Sequence, residues 1–188
     1  DATFNNIKDP YNDSVYERAK KNLNEMIENS MLIKDNELSL FLWEITFKGK
    51  KQTGIVAGFD QDEYKNGFIV KHELTRKEKE RDRIKHIKSV GIQTGPVMLA
   101  YREPKALENL KQKIKKSTPD YNVKFKSAKH KVWKINGIYS KNIEKFFKNI
   151  KKIYIADGHH RSAAASKINS KNEKTKIKSK ILGVIFDF

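Results

Sequence analysis

The chain has no cysteine, only four prolines and, among its 40 basic residues, only six arginines. The first absence removes disulfides, thiolate zinc sites and cysteine nucleophiles, and it fits a reducing compartment. No apolar run comes near the ~20 residues that a membrane-spanning helix needs, and no signal-peptide pattern opens the sequence. A cytoplasmic location with no membrane partner is therefore expected. The shortage of arginine bears on the net charge of +17. Such a charge points towards nucleic acid, because clustered cations release condensed counterions on binding phosphate. Arginine, however, is the preferred residue for bidentate phosphate and guanine contacts, and the lysines here are spread over nearly every segment. The surplus is read first as a solvated lysine surface and second as a nucleic-acid face.

What is present supports a globular protein: 188 residues, 37% of them hydrophobic and 10% aromatic, can bury a substantial core. After an opening loop, Ser14-Val15-Tyr16-Glu17 reads as a capping box and predicts a helix from Val15 to Glu28. Two apolar runs, Leu38 to Phe47 and Gly54 to Phe59, flank the turn-like Lys48-Gly49-Lys50-Lys51 and predict a hairpin. Phe68 to Lys71 reads as a further strand, and Thr75-Arg76-Lys77-Glu78 as a second capping box opening a very polar helix to Ser89.

Strands are expected at Pro96 to Arg102, Tyr121 to Phe125 and Lys131 to Ile135. Helices are expected from Pro104 to Lys116 and from Ser140 to Ile150, and a polar loop over 169–179. The closing ILGVIFDF has the composition of a buried strand with no cap or tail beyond it, as in the N-terminal part of a longer protein. The whole is expected to be one mixed α/β domain over residues 1–188.

One stretch carries chemistry. In IYIADGHHRSAAASKI, residues 153–168, a β-branched run passes into an alanine-rich run through Asp-Gly-His-His-Arg. This predicts a strand-to-helix turn at the head of the subregion 150–188. Backbone N–H groups around Gly158 to Arg161 then point outward unpaired and form an anion site. Gly158 permits close approach of a ligand or a positive φ, and Arg161 with His159 and His160 supplies charge-assisted hydrogen bonds to phosphate oxygens; Ser162 stands in the same helical turn. Asp157 would repel phosphate unless a divalent cation lay between them, so the combination suggests Mg²⁺-nucleotide or another metal-bound phosphate, with Asp157 on the metal.

A second box, Lys71-His72-Glu73-Leu74-Thr75, also closes a strand and opens a helix. If the two strands are sheet neighbours, Glu73 and Asp157 converge at one sheet edge, the usual place for an α/β active site. Taken alone, Glu73 is also no more than a negative charge favoured by a helix dipole.

The DGHHR box followed by a small-residue helix, with an upstream His-Glu pair, resembles the archaeal free-serine kinases, whose fold is shared with sulfiredoxin and the ParB nucleotide-binding domain. The order of segments is closer still to a large bacterial and archaeal family of unknown function: the HE box, a polar helix bearing Asp82-Arg83, TGPVMLAYR, HKVWKI and IADGHHR. The resemblance implies a ParB/sulfiredoxin-like mixed sheet flanked by helices. It also implies transfer of a phosphoryl group from Mg²⁺-ATP or Mg²⁺-ADP to the hydroxyl of free L-serine or a similar metabolite. Glu73 would be the general base, His72 its neighbour, Asp157 a Mg²⁺-linked or hydroxyl-orienting acid, and Gly158, His159, His160 and Arg161 the phosphate holders. Lys71 departs from the kinase pattern, which has proline before HE.

Two other functions compete. A ParB-like nucleotide-dependent nucleic-acid-binding module is favoured by the charge, although ParB boxes carry Glu-Arg-Arg where this chain has His159-His160-Arg161 and no helix-turn-helix signal follows. A metal-dependent phosphoesterase is suggested by the grouping of Asp157 with His159 and His160, to which Asp60-Gln61-Asp62 could add ligands, but Gly158 separates Asp157 from the histidines and that triplet reads as a surface turn.

Overall fold

A computed structural model describes residues 9–102, 104–168 and 180–188. Within them the chain forms a mixed α/β fold with one eight-stranded sheet, in the strand order β3-β7-β4-β8-β2-β1-β6-β5. The elements are α1 (Asp13–Glu28), β1 (Leu40–Phe47), β2 (Lys50–Asp60), α2 (Gln61–Lys65), β3 (Ile69–Val70), α3 (Lys77–Val90), β4 (Val97–Tyr101), α4 (Lys105–Ile114), β5 (Tyr121–Phe125), β6 (Ala128–Ile135), α5 (Gly137–Lys148), β7 (Ile153–Asp157), α6 (His159–Ser166) and β8 (Lys180–Asp187). No helix among the described residues is long and apolar enough to cross a membrane. The polar loop expected over 169–179 lies outside the described residues.

Most neighbouring strands run antiparallel, but β3 pairs parallel with β7 and β4 parallel with β8. The core lies on one face of the sheet. Leu42, Ile55, Trp133, Leu99, Ile155 and Ile185 point there and pack with Leu107 of α4, Ile143 of α5 and Ala163 of α6 in one buried cluster. Phe147 of α5 meets Phe59 and Tyr101 edge-on and tilted, which fixes that helix across β2 and β4. Small side chains on α6, with Ala163, Ala164 and Ala165 all buried, let it lie close against β4 and β8.

Local chemistry departs from expectation at several element ends. The cap of α1 is Asn12, whose side chain accepts from the Ser14 N–H (3.0 Å), and the Ser14 hydroxyl donates to the same oxygen instead of capping. The hairpin turn is tighter than four residues: only Lys48 and Gly49 form it, both with positive φ, so Lys50 and Lys51 belong to β2. Asp60-Gln61-Asp62 opens the short helix α2 instead of lying in a turn. Asp60 caps it, and buried Gln61 donates to the Ala165 and Ile168 carbonyls at the end of α6 (2.7 and 3.0 Å). Strand β3 is only two residues long.

Candidate active site

Parallel pairing of β3 with β7 is what builds the site. Ile69 sits opposite Ile153 and Val70 opposite Tyr154, so both chains leave the sheet at the same edge. β4 runs the other way beside β7, with Met98 opposite Asp157, and thus delivers Gly95 and Pro96 to that edge. Helix α3 closes the other wall, held to α6 by a Lys167–Glu80 ion pair and to α1 by the Tyr16 hydroxyl donating to Asp82 (2.7 Å). A cleft of about 660 Å³ results, and Glu73, Asp157, Gly158, His159, His160 and Arg161 all line it.

His159 is the buried member of that group, 5% exposed. Its Nδ1 lies 3.4 Å from Glu73 Oε2, and its ring meets His72 edge-on with centroids 4.4 Å apart. Burial, then the neighbouring His72, pushes the imidazole below its ordinary pKa, against an opposing pull from Glu73. A neutral ring carries one N–H. With the proton on Nδ1 it faces the Glu73 carboxylate, and Nε2 is left as a buried acceptor with no hydrogen-bond partner.

Arg161 is clamped. It reaches back from the first turn of α6 to the Asp157 carboxylate and also donates to the Pro96 carbonyl at the head of β4. Gly158 makes room for this. Its φ is +95°, and a Cβ there would stand 3.0–3.2 Å from the guanidinium. Gly95 flanks the same group from the other side, where a Cβ would stand 3.3 Å from Nη1. Arg161 is therefore a fixed guanidinium with donors to spare, beside the free N–H groups that open α6.

Two other residues of the box are used differently from the expectation. His160 Nε2 accepts from the Arg76 backbone N–H (3.1 Å), which satisfies one of the orphan donors at the start of α3. The second capping box fails for the same reason: Thr75 donates its hydroxyl to Glu80 (3.2 Å), and Arg76 is the cap residue. While His160 Nε2 accepts there, that nitrogen is not free to donate to phosphate, although the residue lines the cleft. Ser162 is 1% exposed, its hydroxyl donates to the Gly158 carbonyl (3.0 Å), and it does not line the cleft. Its contribution is to tie the glycine turn to the helix.

Helix α3 supplies basic side chains that the turn motif did not announce. Lys79, Arg83 and His86, spaced by four and three, fall on one helical face and line the cleft. Arg83 lies 3.5 Å from Asp82, while Lys79 has no acidic partner among the described residues. Burial, then Arg83, lowers the pKa of His86. The four-and-three spacing was visible in KEKERDRIKH; what it could not show was that this face turns towards residue 158.

No three His, Asp or Glu side chains come together as a metal site among the described residues. Asp60 pairs with Lys180 (3.2 Å) and stands outside this cleft, so the ligand set wanted for a phosphoesterase is not assembled there. Asp157, which lines the cleft, does fit a Mg²⁺ that arrives on a nucleotide, since that ion needs only one or two carboxylates besides phosphate and water.

Residues 2–186 match the family described as "Protein of unknown function (DUF1015)". No curated protein and no solved structure matches the chain.

Proposed function

The chain belongs to this family of unknown function, and from the geometry of its cleft we propose a phosphotransferase that moves the terminal phosphoryl group of Mg²⁺-ATP or Mg²⁺-ADP to the hydroxyl of a small metabolite, free L-serine being the first candidate. The order of the HE and DGHHR boxes supports kinship with the free-serine kinases and their ParB/sulfiredoxin-like fold, and a nucleotide substrate fits a cytoplasmic protein. One observation carries the proposal: Glu73 and the Gly158–Arg161 cradle, distant in sequence, line a single cleft with Glu73 Oε2 3.4 Å from His159 Nδ1.

Phosphoryl transfer asks for positioning and charge neutralisation more than covalent help. The N–H groups at the start of α6, the clamped Arg161 and Lys79 offer the positive side. Asp157 would hold Mg²⁺, which supplies neutralisation of the phosphate charge. Glu73 takes the hydroxyl proton as the acceptor oxygen bonds to phosphorus, and the bond from phosphorus to the leaving nucleotide oxygen breaks. His159 orients that carboxylate from a neutral, buried ring.

The test is direct. Protein, MgATP or MgADP and L-serine are expected to yield O-phosphoserine by mass spectrometry, with homoserine and threonine as comparison acceptors. No phosphorylated product from any of them, with a nucleotide bound, overturns the transfer.

A further inference from the structure

Away from the cleft, the opposite face of the β1-β2-β6-β5 half of the sheet carries apolar and aromatic side chains that no described helix covers. Alternation along the strands sorts the two faces. Leu42, Glu44, Trp133 and Ile135 point to the helix side, where Lys115 of the α4 end pairs with Glu44 (3.2 Å) and the Trp133 indole N–H donates to the Ser117 carbonyl (2.9 Å). Trp43, Phe47, His130, Tyr121, Val123 and Phe125 point the other way. Cross-strand register puts them together: Trp43 opposite Val132, Phe47 opposite Ala128, Val123 opposite His130. Tyr121 is 62% and Phe125 64% exposed, and β5 is the outermost strand.

At its hairpin end this face is positively charged. Of the lysines in residues 121–135, alternation turns Lys124, Lys129 and Lys131 to the helix side and Lys134 pairs with Asp35 (2.8 Å), which leaves Lys126, in the β5–β6 turn, on the exposed side. The β1–β2 hairpin adds Lys48 and Lys50, and its single acid before Asp60, Glu44, is turned to the far side and paired there. Lys48 lies 5.5 Å over the Phe47 ring and Lys126 5.5 Å over the Phe125 ring, so cation and ring are presented as units. Trp43 is held in place by its indole N–H donating to His130 Nδ1 (3.2 Å). A second copy of a chain carrying +17 would bring like charge to like charge. A polyanion with flat apolar faces matches both properties at once.

We propose that this sheet face binds single-stranded nucleic acid, with bases stacked on Tyr121, Phe125 and Trp43 and the phosphates tracked by Lys48 and Lys126. Flat rings flanked by lysine read bases by stacking and are indifferent to sequence; a duplex, its bases already stacked, gains only the lysine contacts. The site is separate from the cleft and does not depend on any phosphoryl transfer there.

Fluorescence anisotropy with labelled 20-mer oligouridine, 20-mer oligothymidine and a duplex of equal length tests it. Either single strand is expected to bind well above the duplex. Tyr121→Ala and Phe125→Ala, at positions exposed enough to leave folding intact, each weaken binding about tenfold. Lys48→Gln and Lys126→Gln each lower the slope of log affinity against log salt by about 0.7. Binding also quenches Trp43, the less buried of the two tryptophans, and Trp43→Phe removes the quench. Equal affinity for duplex and single strand, unmoved by the aromatic substitutions, overturns the proposal in favour of scattered surface charge. So does a concentration-dependent dimer in sedimentation that Phe125→Ala dissolves, since another copy would then occupy the face.

Discussion

Glu73 Oε2 and His159 Nδ1 stand 3.4 Å apart although one follows β3 and the other opens α6. The contact follows from the parallel pairing of two short strands, which sends both loops to one edge. It places a carboxylate beside the N-terminus of α6. Glu73→Gln keeps the size and the contact with His159 but removes the proton acceptor. Phosphoserine formation is expected to fall at least a hundredfold, with nucleotide affinity by calorimetry within about threefold of the parent. A matching loss of nucleotide affinity would make Glu73 a binding residue instead.

Acid is expected to destabilise the fold through His159. Burial and His72 lower its pKa in the folded chain below the ordinary value of 6.5. The folded state then binds fewer protons than the unfolded chain, so the stability this residue contributes is complete above about 6.5 and is lost as pH falls below it. His86 acts in the same direction. Glu80, held low chiefly by its hydrogen bond from Lys167, adds a further loss below its ordinary 4.5. Thermal melts from pH 7.5 to 5 should show a falling Tm, and His159→Phe should flatten the part between 6.5 and 5. An unchanged slope in that variant would show that His159 protonates without resistance.

Gly158→Ala and Gly95→Ala separate strain from crowding. Both would push a Cβ against Arg161, at 3.0–3.2 and 3.3 Å, but only Gly158 also has a φ of +95°. Alanine there costs about 1–2 kcal/mol of backbone strain on top of the displaced guanidinium. The expected outcome is a clear drop in Tm for Gly158→Ala and a small one for Gly95→Ala. ADP affinity should weaken in both, because both displace Arg161 from its bonds to Asp157 and Pro96.

Much of this was legible in the sequence. Binary pattern located nearly every strand and long helix, since apolar alternation in LSLFLWEITF and helical spacing in the Ile143–Ile150 segment are local properties. The strand-to-helix turn at Gly158 was legible for the same reason. Partner choice was not. Thr75 and Ser14 each have the residue pattern of a capping box, yet Glu80 and Asn12 claim their hydroxyls. The register that makes β3 and β7 neighbours rests on two residues, too few for any periodicity to reveal. Arg161 looked like a free phosphate ligand because nothing in DGHHR tells that Pro96, brought in by an antiparallel strand, holds its other nitrogen.

His160 offers the sharpest contrast between the two levels. In the sequence it is one of a histidine pair beside an arginine; in the fold its Nε2 accepts from the Arg76 N–H and anchors the start of α3, the helix that carries Lys79 and Arg83 into the cleft. His160→Ala is expected to cost about 0.5–2 kcal/mol, the usual size of a lost cap. It should also speed hydrogen exchange over residues 76–80 and weaken nucleotide binding indirectly, by loosening Lys79. His160→Gln keeps an acceptor at that position and should recover most of the stability and the exchange protection. If His160 instead bonded phosphate itself, both variants would lose nucleotide affinity equally while exchange at residues 76–80 stayed as in the parent.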